Sequence, residues 1–171
     1  NDGHLIEFAV FDREELNLAK INCYRILIDR ENIQNQLEEI RQSTTEESNL
    51  NCDDEVLIGQ FITNLLVGIG RYNRGEKASA HKFVKMSALR KLLTLLEKHL
   101  PSENKELLDD IDPLRRFEFV YPKLGAEIES LLLEPIPEAA EKMLNLLTRE
   151  LSEQLSPEQK QAIDIVIAKY L

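Results

Sequence analysis

Cysteine is nearly missing from this chain: Cys23 and Cys52 stand far apart, without Cys-x-x-Cys spacing. That pattern suggests neither a disulfide framework nor a zinc site, so the two thiols read as buried or idle groups. No apolar run approaches the roughly 20 residues of a membrane span, and the first residues lack the charged, apolar and small-residue order of a secretory signal. A membrane is therefore not an expected partner, and the cytoplasm is the expected compartment. Internal repeats and low-complexity tracts are also missing. Positive charge is in deficit, with 21 lysines and arginines against 31 acids and a net charge of −10. Such a balance argues against broad nucleic-acid binding, which requires cations to be brought to the phosphates.

The cations that are present cluster. Between Arg71 and Lys91 stand Arg71, Arg74, Lys77, Lys82, Lys85, Arg90 and Lys91 against one acid, Glu76, a window of +6 that leaves −16 for the remainder. An island of this kind suits a small polyanion, such as a nucleoside triphosphate, better than a duplex. Hydrophobic residues make up 43% of the 171, enough for a sizeable core.

The segment His4 to Asp12, HLIEFAVFD, has the composition of a strand. At period 2, Leu5, Glu7, Ala9 and Phe11 share one face and His4, Ile6, Phe8 and Val10 the other, so Glu7 is a lone carboxylate on a strand covered on two sides. No hairpin partner precedes it, and the chain is expected to be the back half of a larger protein. Asp12 with Glu15 forms a capping-box pattern for a short helix through about Lys20. Tyr24 to Asp29, YRILID, is a second expected strand, and Ile33, Leu37 and Ile40 set a helix running to about Arg41. The polar stretch Ser43 to Asp53 marks a domain boundary, dividing the chain into 1–43 and 53–171.

Beyond the boundary the pattern is helical throughout. Asp53 or Asn51 caps a helix from about Asp54 to Tyr72 with Phe61, Leu65, Leu66 and Ile69 in its apolar stripe. Gly68 and Gly70 each lower its intrinsic helicity by about 1 kcal/mol and permit close approach of a neighbour. Arg74-Gly75 turns the chain into a long helix from about Glu76 to His99, with Phe83, Met86, Leu89, Leu93 and Leu96 facing the core and Val84, Ala88, Leu92 and Leu95 widening the stripe. A short helix near Lys105 to Asp110 comes next, then one opened by Asp112-Pro113 through Phe119, and a stretch interrupted at Pro122 that continues to about Leu133. Pro135 and Pro137 open a helix to Leu155, and the capping box of Ser156 and Gln159 opens the last, to Tyr170. The expected fold is mostly α: a bundle of about five helices preceded by an α/β remnant of two strands.

Three groups of residues could carry chemistry. Glu7 suits a hard cation such as magnesium, or a base for a hydroxyl nucleophile. Arg74, Lys82 and Lys85 flank a helix start whose N–H groups add partial positive charge, an arrangement for an anion. Arg115, Arg116 and Glu118, with Phe117, Phe119 and Tyr121, could line an aromatic pocket, although ordinary helix packing accounts for such aromatics more often. Arg74 and His81, with six residues between them, also loosely match the RNase motif of the HEPN domains, which are small helical bundles. His4 and His99 lack partners at metal spacing.

The segments EFAVFDREEL, YRILIDRENIQNQLEEI, LLVGIGRYNRGEKASAHKF and RRFEFVYPKL, in this order and spacing, make the chain resemble the nucleotidyltransferases that inactivate lincosamide antibiotics and, more distantly, the kanamycin nucleotidyltransferases. In that family a Gly-Ser turn with an Asp-x-Asp strand supplies two metal-binding carboxylates and a nearby strand supplies a third. Glu7 matches the third. The Gly-Ser and Asp-x-Asp pair is not found, which makes this chain, by itself, an expected inactive C-terminal portion.

The resemblance implies transfer of a nucleoside monophosphate from a magnesium-bound NTP to a hydroxyl of a small molecule such as an antibiotic, with pyrophosphate leaving. Glu7 would be the catalytic base or a magnesium ligand, and Arg74, Lys82 and Lys85 would hold the triphosphate. The helical domain would bind the acceptor, with Tyr72, Glu76 and Arg115 as candidates, often across a homodimer. The alternative is a helical interaction module or a HEPN-like RNA-acting bundle, in which Glu7 is structural.

Overall fold

A computed structural model describes residues 8–22, 24–50, 53–109 and 111–170. It divides the chain into two compact units, Asn1–Asn49 and Leu50–Leu171. Among the described residues the structure is mostly helical and contains no strand.

In the first unit the Asp12–Glu15 capping box forms as its sequence requires. Asp12 Oδ1 accepts from Glu15 N at 2.8 Å and Glu15 Oε2 accepts from Asp12 N at 3.1 Å. The helix it opens is a single 3-10 turn, Glu15–Leu18. Gln36 ties that turn to the next helix through the Arg13 carbonyl, 3.1 Å, and Asn17 Oδ1, 2.8 Å. The helix itself, α1 (Gln34–Leu50), runs well past Arg41 into the polar stretch. Ser43 and Thr44 bond back to the Ile40 carbonyl and Thr45 to that of Arg41, so the hydroxyls satisfy themselves along the helix instead of ending it. On the same helix, the bond from the Arg41 guanidinium holds the Glu38 carboxyl down at about 2.

The two expected strands are the fold's main correction. Tyr24 to Asp29 has no regular structure, and neither do residues 8 to 12; the rest of the first expected strand, with His4 and Glu7, lies outside the described residues. A strand is held by a neighbour's N–H and C=O groups, and no strand among the described residues stands beside these to supply them. Their apolar side chains are left in solvent: Phe8 is 86% exposed, Val10 85%, Leu27 78% and Ile28 74%.

The second unit is built around α2 (Asp54–Asn73), whose first turn is capped by Asp53 Oδ1 accepting from Glu55 N at 2.9 Å. The continuous helix that follows has three parts: α3 (Lys77–His81), a π-helical segment (Lys82–Ala88) and α4 (Leu89–His99). After a 3-10 turn at Lys105–Leu107 come α5 (Phe117–Val120), α6 (Pro122–Leu133), α7 (Ile136–Glu150) and α8 (Pro157–Tyr170). Asp112-Pro113 starts a turn and not a helix. Pro122 stands at the N-terminus of α6, where its missing N–H costs nothing. Ser156 and Gln159 exchange the two bonds of a capping box, 3.2 and 2.8 Å, before α8.

One core joins Phe61, Leu65 and Ile69 of α2, Leu92, Leu93 and Leu96 of α4, Phe117, and Met143, Leu144 and Leu147 of α7. Upstream of Leu89 the buried line is Ala80, Val84 and Ala88, while Met86, expected inside, is 57% exposed. The π turn explains the shift. Its i→i+5 hydrogen bonds take more residues per turn, so the 3.6-residue stripe extrapolated back from α4 puts Met86 inside, whereas Val84 and Ala88, expected to widen that stripe, are its buried centre. Gly68 allows the close approach of this segment: a Cβ there would stand 2.5 Å from Val84 Cγ2.

At the opposite end of the unit, Asp54 accepts from Lys98 Nζ at 2.7 Å and lies 2.8 Å from His99 Nε2. Burial alone would raise the Asp54 carboxyl, but these bonds and charges hold it below the usual carboxylate range. No helix among the described residues is long and apolar enough to cross a membrane.

Candidate functional site

The turn joining α2 to α3 gathers much of the cation island. Its backbone closes through Arg74 N to Gly70 O at 3.3 Å, Gly75 N to Tyr72 O at 3.0 Å and Glu76 N to Arg71 O at 2.9 Å. Gly75 sits at φ 86, a left-handed conformation that glycine adopts without strain. The side chains of Arg71, Tyr72, Arg74, Glu76 and Lys77 are thereby brought onto one loop.

These groups are already engaged with one another. Glu76 Oε1 accepts from Arg74 Nε at 3.0 Å, and Glu76 Oε2 lies 3.8 Å from Arg71. Arg71 also donates to Ser79 Oγ at 2.5 Å, with its guanidinium 4.7 Å from the centre of the Phe83 ring. Lys77 donates to the Tyr72 carbonyl at 2.9 Å, its ammonium 3.1 Å above the Tyr72 ring. Ser79 and Phe83 are the partners that the sequence reading missed; their helical spacing from each other was the available signal, but the turn geometry that brings Arg71 to them was not.

The other candidates are distributed differently. Lys82 is exposed. Lys85 reaches the end of α6, donating to the carbonyls of Leu132 at 2.7 Å and Glu134 at 2.5 Å, so it closes the C-terminus of that helix as a cation there should. Arg90 likewise donates to the Ile111 carbonyl at 2.8 Å. Part of the +6 window thus consists of charges that tie the long helix to the end of α6 and to the loop before α5. His81 is exposed at the end of α3, and Arg74 is committed to Glu76.

Arg115 lies on the loop before α5, where it donates to Asp109 Oδ2 at 2.9 Å. The aromatics beside it separate: Phe117 and Tyr121 are buried with ring centres 5.0 Å apart, while Phe119 faces solvent. Tyr121 donates to the Leu100 carbonyl at 3.1 Å, and burial together with the charge of Glu97 pushes its hydroxyl above the usual range. Tyr121, Pro122, Lys123 and Leu124 line an open apolar depression of about 330 Å³.

Glu7 falls outside the described residues, as do Cys23 and Cys52. Among the described residues, no group of three or more His, Cys, Asp or Glu could hold a metal ion. No family model matches the chain, no curated protein does, and no solved structure does.

Proposed function

We propose that the chain is the C-terminal portion of a nucleotidyltransferase that moves a nucleoside monophosphate from an NTP to a hydroxyl of a small molecule such as an antibiotic. The carrying observation is the solvent-exposed apolar surface of Phe8, Val10, Leu27 and Ile28, in segments of strand-forming composition. That is the surface two strands would bury inside an α/β catalytic domain, and no strand that would cover it is found among the described residues. The cation-rich turn in the helical unit adds a binding surface for a polyanion.

On this reading Glu7 takes the proton of the acceptor hydroxyl or ligates magnesium, and Arg74 with Lys82 and Lys85 meets the triphosphate. Lys85 would do so only by leaving the carbonyls of α6, which makes Arg74 and Lys82 the principal pair. Magnesium, when bound, would neutralise charge on the phosphates, and no group of three or more His, Cys, Asp or Glu among the described residues forms a site for it. Tyr72 and Arg115 remain the candidates on the acceptor side, Glu76 being engaged with Arg74 and Arg71, and a homodimer is the candidate assembly.

The test is carried out on the intact enzyme, with ATP or another NTP, magnesium and a panel of aminoglycosides and lincosamides. Pyrophosphate release should accompany a mass gain of one nucleoside monophosphate on the acceptor. Glu7→Gln should abolish both without moving the melting temperature. Wild-type turnover in that variant, or turnover by residues 1–171 alone, would overturn the assignment.

A further inference from the structure

We propose that Glu76 is a positioning residue, which orients Arg74 and Arg71 toward the triphosphate and does not touch the acceptor; this rests on the nucleotidyltransferase reading. Arg74 sits on a turn with its side chain 62% exposed, where a long flexible side chain left alone would sample many rotamers. Two neighbours fix it. Glu76 Oε1 takes the Nε hydrogen at 3.0 Å, so the bond is made at the stem of the guanidinium and both terminal amino groups stay available for two parallel bonds to phosphate oxygens. One of those amino groups lies 3.5 Å from where a Cβ on Gly70 would stand, so the guanidinium rests along the last turn of α2 against a residue with no side chain.

The second oxygen of Glu76 faces Arg71 at 3.8 Å, and Arg71 is fixed in turn by Ser79 Oγ and the Phe83 ring. Both carboxylate oxygens are therefore occupied inside their own turn. One acid among Arg71, Arg74 and Lys77 removes a single charge and leaves an excess of positive charge. A carboxylate so placed costs the site part of its attraction for an anion but sets the geometry in which the arginines receive one.

Steady-state kinetics of the intact enzyme separate the possibilities. Glu76→Gln should raise the KM for NTP about tenfold, the effect of one lost charge-assisted hydrogen bond, while the KM for the acceptor stays put. Arg74→Ala should do the same, and the double variant should be no worse than Arg74→Ala alone, because both changes remove one arrangement. Glu76→Asp should recover most of the loss, and circular dichroism melts should show all variants folded. A changed acceptor KM with NTP KM unmoved would make Glu76 an acceptor contact. A lowered NTP KM in Glu76→Gln would make it a competitor of the triphosphate, and additive effects would separate it from Arg74; each of these overturns the inference alone. No transfer by the wild-type enzyme would overturn the nucleotidyltransferase reading as well.

Discussion

Asp109 shows what a single side chain does for a loop without regular structure. Its side chain is only 4% exposed, yet it is fully used: Oδ1 accepts from Ile111 N at 3.1 Å and Asp112 N at 3.3 Å, and Oδ2 accepts from Arg115 at 2.9 Å. Removing it takes one acceptor from three donors at once, Ile111 N, Asp112 N and Arg115, of which Asp112 N alone keeps a second acceptor, the Asp109 carbonyl at 3.2 Å. Asp109→Ala should therefore lower the unfolding free energy by about 2 kcal/mol in urea titrations. Asp109→Asn, which keeps Oδ1 as an acceptor, should cost less. Arg115→Ala should cost under about 1 kcal/mol, because the arginine is 60% exposed and water screens the pair. Equal losses in Asp109→Ala and Arg115→Ala would mean that the ion pair, and not the turn, holds the loop. The result also bears on Arg115 as an acceptor ligand, since one of its amino groups is already committed to Asp109.

Helix α2 contains its own control experiment. Gly68 and Gly59 have the same intrinsic cost in a helix, about 1 kcal/mol relative to alanine. Their surroundings differ: a Cβ on Gly59 meets nothing within 4 Å, whereas one on Gly68 stands 2.5 Å from Val84 Cγ2 and 3.2 Å from Phe83 Cβ. Gly59→Ala should raise stability by about 0.5–1 kcal/mol, and Gly68→Ala should lower it by about 1–3 kcal/mol as the π segment is pushed away. Thermal melts of the two variants should move in opposite directions. A stabilising Gly68→Ala would show that the contact yields easily.

The same elements show which features could be read from sequence. The N-termini of α2 and α8 were legible because Asp53 and the Ser156–Gln159 pair act within one turn, where spacing determines contact. The side chain of Met86 was assigned to the wrong depth, because a π turn is set by what packs against it and leaves no period in the sequence. Strand composition at Tyr24 to Asp29 was read correctly as composition, but a strand also requires a partner. Of the candidate site, the cation cluster was visible and the pairing within it was not. Charge is written in the residues, whereas Lys85 finds the end of α6 only in three dimensions.

At the scale of the whole chain, the contrast between the two units makes a prediction about opening. The described hydrophobic core of the second unit draws on α2 through α8, while in the first unit Ile40 and Thr44 are the buried residues among those described. Local stability follows buried apolar contact, so the first unit should open far more readily than the second. Trypsin should act on it first: Arg13, Arg25 and Arg30 are exposed in the segment that precedes α1, which has little regular structure. Brief digestion of residues 1–171 should leave a resistant species that retains α2 to α8 and melts at the temperature of the uncut chain. On the nucleotidyltransferase reading proposed above, the same sites near Arg25 and Arg30 should be cut at least about tenfold more slowly in a longer protein that carries the catalytic domain, because pairing with a sheet would close the backbone that a protease must extend. Equal cleavage in both proteins would mean that the apolar segments have no sheet to join, and the surface of Phe8, Val10, Leu27 and Ile28 would need another partner.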